Sequence, residues 1–267
     1  MDALKRNNVH VIGEGERTFL LAHGFGCDQN MWQFLVPQLT GHGRLVLFDF
    51  VGSGRSDISA YSSERYSQLD GYARDVLEVM AHFADTPAVF VGHSVGASIG
   101  MIAADRQPEL FSHLALVCPS PCFINDPPDY EGGFERSDLE ELIDLMDQNY
   151  IGWAEYLAPL VAGADADQEI VGTLSGSFCS TDPIIARNFA MATFFSDQRA
   201  LLPRIRQPSL ILQSRTDTLA PVAVGRYMQQ QIPNSHLVEV DAMGHCLHMT
   251  HPQQVSRALA QFLDPAP

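Results

Sequence analysis

The 267-residue chain has little positive charge and no long apolar run, and both shortages exclude classes of protein. Only 16 lysines and arginines face 32 aspartates and glutamates, which gives a net charge of −16. Such a chain repels phosphate backbones, so we expect no nucleic-acid partner. No run of 18 apolar residues is present, and residues 1–8 lack the apolar core of a signal peptide. We therefore expect a soluble, cytoplasmic protein that does not insert into a membrane.

Cysteine is also scarce, with five residues and no C-x-x-C spacing: Cys27, Cys118, Cys122, Cys179 and Cys246. An odd number without metal-ligand spacing favours reduced packing thiols over disulfides or a zinc site. His245, His248 and His251 follow one another at three-residue steps, but the H-E-x-x-H pattern of zinc enzymes is absent. The sequence therefore predicts neither a metal nor a cofactor.

What is present is a globular composition with alternating element types. Apolar residues make up 46% of the chain and charged residues 18%, which is typical of a folded domain. Short β-rich runs alternate with stretches of helical period, and this alternation predicts an α/β fold with a mostly parallel sheet flanked by helices. The predicted strands are 9–12, 18–22, 44–50, 88–91, 113–118, 209–213 and 236–240; the predicted helices are 31–39, 68–83, 95–106, 222–231 and 252–262.

The alternation stops between Pro119 and Pro203, where no strand is predicted. We interpret residues 119–203 as a helical lid inserted into a core formed by 1–118 and 204–267. One predicted lid helix has an apolar stripe at helical spacing, formed by Leu139, Leu142, Ile143 and Met146. From Asp126 to Asp147, nine acidic residues accompany the single base Arg136. This acidic stretch is either a solvated face or a surface for a partner.

The strongest chemical signal is Gly92-His93-Ser94-Val95-Gly96, a G-x-S-x-G pattern between a predicted strand and a predicted helix. The alternative, a helix N-cap at Ser94, does not explain the rest of the pattern. A serine nucleophile needs a base and an orienting acid, which follow in the order acid, then histidine, in this architecture. Asp217 and His245 each follow a predicted strand, so all three side chains would meet at one sheet edge. Asp241 is a rival acid, and His93 is a rival base.

Acyl transfer also needs donors for the developing oxyanion. The backbone N–H of Val95 follows the nucleophile, and Phe25 in His23-Gly24-Phe25-Gly26 can supply a second N–H. The same glycines resemble the start of a dinucleotide-binding loop, but the third fingerprint position is Gln29. We therefore interpret this loop as an oxyanion hole.

Together these segments resemble the RsbQ-type α/β-hydrolases, a group with a bacterial stress-response regulator and the plant karrikin and strigolactone receptors. The resemblance covers most of the chain. It rests on residues 23–26, 49–56, 92–96, 153, 179–183, 194–197, 217 and 244–246.

The resemblance implies an α/β-hydrolase fold with a four-helix V-shaped lid inserted after the sixth strand. It implies Ser94 as nucleophile, His245 as base, Asp217 as acid, and Phe25 and Val95 as oxyanion donors. The implied pocket residues are Phe25, Phe123, Phe134, Trp153, Phe194 and Phe195, with Leu157 where relatives commonly have phenylalanine.

The implied activity is slow hydrolysis of a small hydrophobic ester, lactone or enol ester by a monomer or weak dimer without a cofactor. Two alternatives stay open. One is a ligand sensor acting on a PAS-domain phosphatase in stress-response regulation. The other is a cofactor-free peroxidase that would use the same three residues.

Overall fold

The computed structural model describes residues 2–264, in which seven strands form one sheet. They are β1 His10–Ile12, β2 Thr18–Ala22, β3 Arg44–Leu47, β4 Ala88–His93, β5 Phe111–Val117, β6 Ser209–Thr216 and β7 Ser235–Met243. Their order across the sheet is β1-β3-β2-β4-β5-β6-β7, and only the β1–β3 pair is antiparallel. The predicted α/β fold with a mostly parallel sheet is confirmed.

The central strands are buried throughout because helices cover both of their faces. Every residue of β2 and of β4 is buried, as expected for parallel strands in the middle of an α/β sheet. The helices are α1 Ala3–Arg6, α2 Val36–Leu39, α3 Ser63–Tyr66, α4 Leu69–Met80, α5 Val95–Arg106, α6 Arg136–Gln148, α7 Tyr150–Ala162, α8 Gln168–Ser180, α9 Pro183–Phe194, α10 Val222–Gln231, α11 Leu247–Thr250 and α12 Pro252–Leu263.

Two sequence-based expectations about order and boundaries are wrong. In residues 2–264 five strands, not six, precede the helical segment, because α6 to α9 follow directly after β5 in the chain. The strand predicted over 44–50 ends at Leu47, since the Asp49 N–H leaves the sheet and donates to Asn7 O.

Helices α6 to α9 occupy the segment between β5 and β6 and share an apolar core with the sheet. Leu139 of α6 and Phe178 of α8 belong to the same buried cluster as Val117 and Leu210 of the sheet. The stripe predicted for α6 is buried at Leu139, Ile143 and Met146, while Leu142 is partly exposed. The division into a core and a lid stays a prediction, and residues 1 and 265–267 of that core lie outside the described residues.

No helix between residues 2 and 264 is both long and apolar enough to cross a bilayer.

Candidate active site

Ser94 lies in the sharp turn between β4 and α5. Its φ of 53° is in the left-handed region, which residues with a Cβ rarely adopt. The flanking glycines make the turn possible, because a Cβ on Gly96 would lie 2.4 Å from His23 O and one on Gly92 would lie 2.7 Å from Ala97 N. The Ser94 N–H donates to Val117 O over 2.9 Å. A tight strand-to-helix turn thus presents the hydroxyl at the carboxyl edge of the sheet.

The structure brings Ser94, His245 and Asp217 into one hydrogen-bonded chain. His245 Nε2 lies 2.8 Å from Ser94 Oγ, and His245 Nδ1 lies 2.8 Å from Asp217 Oδ2. The other carboxylate oxygen accepts from the N–H groups of Leu219 and Ala220. Because a carboxylate only accepts, Nδ1 carries the proton and Nε2 offers its lone pair to the hydroxyl.

Neither rival residue takes part in this hydrogen-bonded chain. Asp241 is 91% exposed and lies 3.7 Å from Arg215, so it does not orient the base. His93 Nε2 lies 2.8 Å from His245 O, and a carbonyl only accepts, so Nε2 carries the proton and donates it. Burial above all lowers the pKa of His93 well below its ordinary value. His93 is therefore a neutral neighbour of the base and does not contact the nucleophile through a ring nitrogen.

The predicted oxyanion loop, residues 23–26, is held by the imidazole of His23. Phe50 N–H donates to His23 Nε2 over 3.0 Å, so His23 Nδ1 carries the proton and donates to Gly24 O over 2.8 Å. Burial is the main cause that lowers the pKa of His23, which keeps the ring neutral. A Cβ on Gly24 would lie 2.5 Å from His93 Nδ1, so this loop passes directly beside the turn between β4 and α5 that holds Ser94.

A narrow apolar cavity of about 20 Å³ adjoins Ser94 and His245, roughly enough for one water molecule. Phe25, Leu157 and Phe194 line it, three of the residues predicted for the pocket. Its other lining residues are Cys27, His93, Val161, Phe178, Thr193, Leu219 and Cys246.

Four of the predicted pocket aromatics do not line this cavity. The rings of Trp153 and Phe123 form a second layer, 6.0 Å from Phe25 and 5.2 Å from Phe194 between ring centroids. Phe195 packs under the guanidinium of Arg136 at 5.3 Å. Phe134 pairs through its backbone N–H with Phe123 O. Residue type indicated aromatics near the site, but not which layer each would occupy.

Helix α8 contributes Phe178, a cavity residue that the sequence reasoning missed. A Cβ on Gly26 would lie 2.4 Å from the Phe178 ring, and Ser177 Oγ donates to Gly26 O over 3.0 Å. Ile170, Leu174 and Phe178 recur every four residues and are buried, so helical periodicity was an available signal. Helix α8 is thereby packed directly onto the oxyanion loop.

The end of α7 packs against the loop of the base. The His245 N–H donates to Val161 O over 2.7 Å. Gly244 has a φ of 95°, and a Cβ there would lie 2.2 Å from Ala162 O. Only a glycine permits this approach of two backbones. Helix α8 therefore contacts the loop of residues 23–26, and helix α7 contacts the loop that holds His245.

The chain is similar to known proteins over most of its length. The model of the alpha/beta hydrolase family matches residues 19–258. The karrikin insensitive 2 receptor CA of Petunia hybrida is 40% identical over 96% of this chain and 95% of its own length. Strigolactone esterase D14 of Arabidopsis thaliana is 38% identical over 97% and 96%. The solved structure of a hydrolase from Oleispira antarctica is 54% identical, with a TM-score of 0.96 over 99% of this chain and 97% of that one.

Proposed function

The chain belongs to the alpha/beta hydrolase family, and we propose that it cleaves small hydrophobic esters or lactones by acyl transfer to Ser94. The observation that carries this proposal is the pair of 2.8 Å hydrogen bonds linking Ser94, His245 and Asp217. The prediction of an α/β-hydrolase enzyme is confirmed by the family and by its esterase relatives. The narrower RsbQ-type assignment stays a prediction.

In the proposed reaction Ser94 Oγ attacks the carbonyl carbon of the ester. His245 Nε2 takes the hydroxyl proton, and the buried Asp217 carboxylate stabilises the imidazolium that forms. The N–H groups of Phe25 and Val95 would donate to the oxyanion. His245 then returns the proton to the leaving alcohol. Water attacks the acyl-enzyme in a second round with the same proton path.

The cavity supports an apolar substrate. Its walls carry aromatic and aliphatic side chains next to the nucleophile, and such walls favour hydrophobic acyl groups. A relative 38% identical over nearly the whole chain is named an esterase of strigolactones, which supports ester or lactone chemistry here. The small cavity volume of about 20 Å³ means that side chains of α7 or α8 must move for a larger substrate.

The direct test is intact-protein mass spectrometry after mixing with p-nitrophenyl acetate. The expected result is a single acetyl adduct that peptide mapping places on Ser94 and that disappears as hydrolysis proceeds. The Ser94→Ala variant is the control and should acquire none. Full turnover by Ser94→Ala, or an adduct on another residue, would refute acyl transfer to Ser94.

A second candidate role is regulatory, in which the hydrolase acts through a PAS-domain phosphatase in a cytoplasmic stress response. The observation that favours it is on α6: Glu140, Glu141 and Asp144 are exposed and form no side-chain hydrogen bond or ion pair within residues 2–264. Such a one-signed surface speeds encounter with a basic partner. Glu135 and Asp138 are excluded from the test because they form the capping box of α6.

The regulatory role is tested with a variant in which Glu140, Glu141 and Asp144 are changed to Lys. Two quantities are measured: the rate of ester hydrolysis, and the activation of the PAS-domain phosphatase proposed as the partner. Retained hydrolysis with lost activation supports a docking face. The matched control reverses three exposed acids elsewhere, Glu14, Glu16 and Asp85, and should activate normally. Full activation by the α6 variant would remove the acidic face from the mechanism.

A further inference from the structure

We propose that Cys118, Asp217 and His245 form a buried inhibitory site for a soft divalent cation such as Zn²⁺ or Cd²⁺. A thiol sulfur, a carboxylate oxygen and an imidazole nitrogen from these residues all lie within 4.8 Å of one another. These are the three ligand types that zinc takes in proteins. The inhibitory effect rests on the proposed function, because it acts by disabling His245 as the base for Ser94.

The site arises from the order of the strands in the sheet. Cys118 follows β5, Asp217 follows β6 and His245 follows β7, and these three strands are neighbours. Cys118 has a left-handed backbone with φ of 46°, fixed by a 2.7 Å hydrogen bond from its N–H to Leu212 O. Its side chain is completely buried, so this unusual conformation places a thiol next to the acid and the base, away from solvent.

The three ligand atoms lie within 4.8 Å of one another, so individual pairs would have to move by up to about 1.2 Å to hold a tetrahedral ion. Metal–ligand bonds of about 2.0 to 2.3 Å separate tetrahedral ligand atoms by about 3.3 to 3.6 Å. The His245 Nδ1 to Asp217 Oδ2 distance of 2.8 Å would therefore open by about half an ångström. Asp217 is anchored to two backbone N–H groups through Oδ1. Its Oδ2 accepts from His245 Nδ1 and, over 3.4 Å, from Gln213 Nε2, and the ion would replace these contacts at Oδ2.

Binding would change the tautomer of the base without any redox step. A neutral imidazole has one N–H and one lone pair, and the proton is on Nδ1 where it faces Asp217. A cation that takes the Nδ1 lone pair moves this proton to Nε2, so Nε2 can no longer accept the proton of Ser94. The Cys118 thiol releases its proton to solvent and forms the metal–sulfur bond.

The charge balance favours occupation despite the burial. Without an ion, the site holds the single negative charge of Asp217, which is fully buried. With a divalent cation, the carboxylate and a thiolate balance the two positive charges, and the buried site becomes neutral.

The experiment measures metal binding and hydrolysis separately, with ZnCl₂ and CdCl₂ as the probes. A Cys179→Ser background removes the least buried thiol. Cadmium–thiolate absorption in the ultraviolet reports binding, and p-nitrophenyl acetate reports activity. We expect one bound Cd²⁺, inhibition that a chelator reverses, and an inhibition constant at least tenfold higher in Cys118→Ser. Cys118→Gly is a second variant, because glycine suits the positive φ.

Matched controls are Cys27→Ser and Cys246→Ser, which alter two buried thiols that line the cavity. Both should keep the absorption band and the inhibition. Unchanged inhibition in Cys118→Ser and Cys118→Gly, or loss of the band in Cys246→Ser, overturns the proposal. Ser94→Ala separates the two hypotheses: retained hydrolysis refutes the proposed function, whereas the cadmium band in that variant still tests the metal site.

Discussion

His93 donates a hydrogen bond from Nε2 to the backbone carbonyl oxygen of His245 over 2.8 Å. The backbone N–H of the same His245 donates to Val161 O at the end of α7. Both polar backbone groups of the base are therefore paired, one with the residue that precedes the nucleophile and one with a helix of the inserted segment. His93 links the elbow of Ser94 to the loop of its base.

We expect His93→Leu to lower kcat by about tenfold with little change in KM, because His245 O loses a buried donor. His93→Gln should recover part of the loss, since its amide can donate from a similar position. The measurement is steady-state hydrolysis of p-nitrophenyl acetate. His248→Leu is the control, because it removes a buried imidazole with no hydrogen bond. Equal losses in the Leu and Gln variants of His93 would show that only packing matters.

Ser94 and His245 should behave as one catalytic unit. Because the hydroxyl is a poor nucleophile until His245 takes its proton, each single alanine variant should lose several orders of magnitude in kcat. The double variant should lose little more. Ester hydrolysis by purified, folded protein measures this. If Ser94→Ala keeps more than about a tenth of the wild-type rate, Ser94 is not the nucleophile.

Ser94, Asp217 and His245 could be proposed as one site from the sequence because each follows a recognisable strand at the same sheet edge, and the structure places them within hydrogen-bonding distance of one another. Gly92, Ser94 and Gly96 by themselves indicate the tight strand-to-helix turn, so Ser94 could be proposed as the nucleophile without knowledge of the tertiary structure. The sequence did not predict which aromatic residues of the segment 119–203 line the cavity. Trp153 and Phe194 are both buried, but of these two only Phe194 lines it. That difference depends on how α7 and α9 pack, which helical periodicity does not specify.

Contacts between residues far apart in the chain were likewise not predicted from the sequence. The His93 contact joins positions 152 residues apart, and the Gly244 contact with α7 depends on a backbone approach. The sequence predicted Cys118 only as a packing thiol. The order of the strands in the sheet places its sulfur within 4.8 Å of a carboxylate oxygen of Asp217. Residues that follow recognisable strands in a known chain order could be proposed from the sequence, whereas the contacts of His93, Gly244 and Cys118 depend on how those strands and α7 pack.

Acid should destabilise the protein through its buried histidines. Burial above all lowers the pKa of His248 to about 3, whereas an unfolded histidine titrates near 6.5. Between these values the unfolded chain binds a proton that the folded chain does not. The free energy of unfolding therefore falls as pH drops below about 6.5, by up to about 1.4 kcal/mol per pH unit from this residue.

Urea unfolding at pH 7.5 and at pH 5 tests this expectation. His248→Phe should lose about 2 kcal/mol less between these pH values than the wild type does. His236→Phe, at an exposed position, is the control and should follow the wild type. The same pH dependence in His248→Phe and the wild type would show that His248 is not kept neutral by burial.

Phe178 should limit the size of the acyl group that the cavity beside Ser94 accepts. Its ring contacts the oxyanion loop at Gly26 and lines a cavity of about 20 Å³. Shortening it to leucine makes room beside Ser94, whereas alanine would cost about 3 to 5 kcal/mol of stability. Butyrate has two more methylenes than acetate, together worth about 1.6 kcal/mol when buried.

We therefore expect Phe178→Leu to raise the ratio of kcat/KM for p-nitrophenyl butyrate over acetate by about tenfold. The control is Phe195→Leu, which shortens an aromatic side chain that does not line the cavity and should leave the ratio unchanged. Thermal unfolding confirms that both variants are folded at the assay temperature. An unchanged ratio in folded Phe178→Leu would mean that the acyl chain does not enter the space next to α8, and that the substrate instead displaces Leu157 and Val161 of α7.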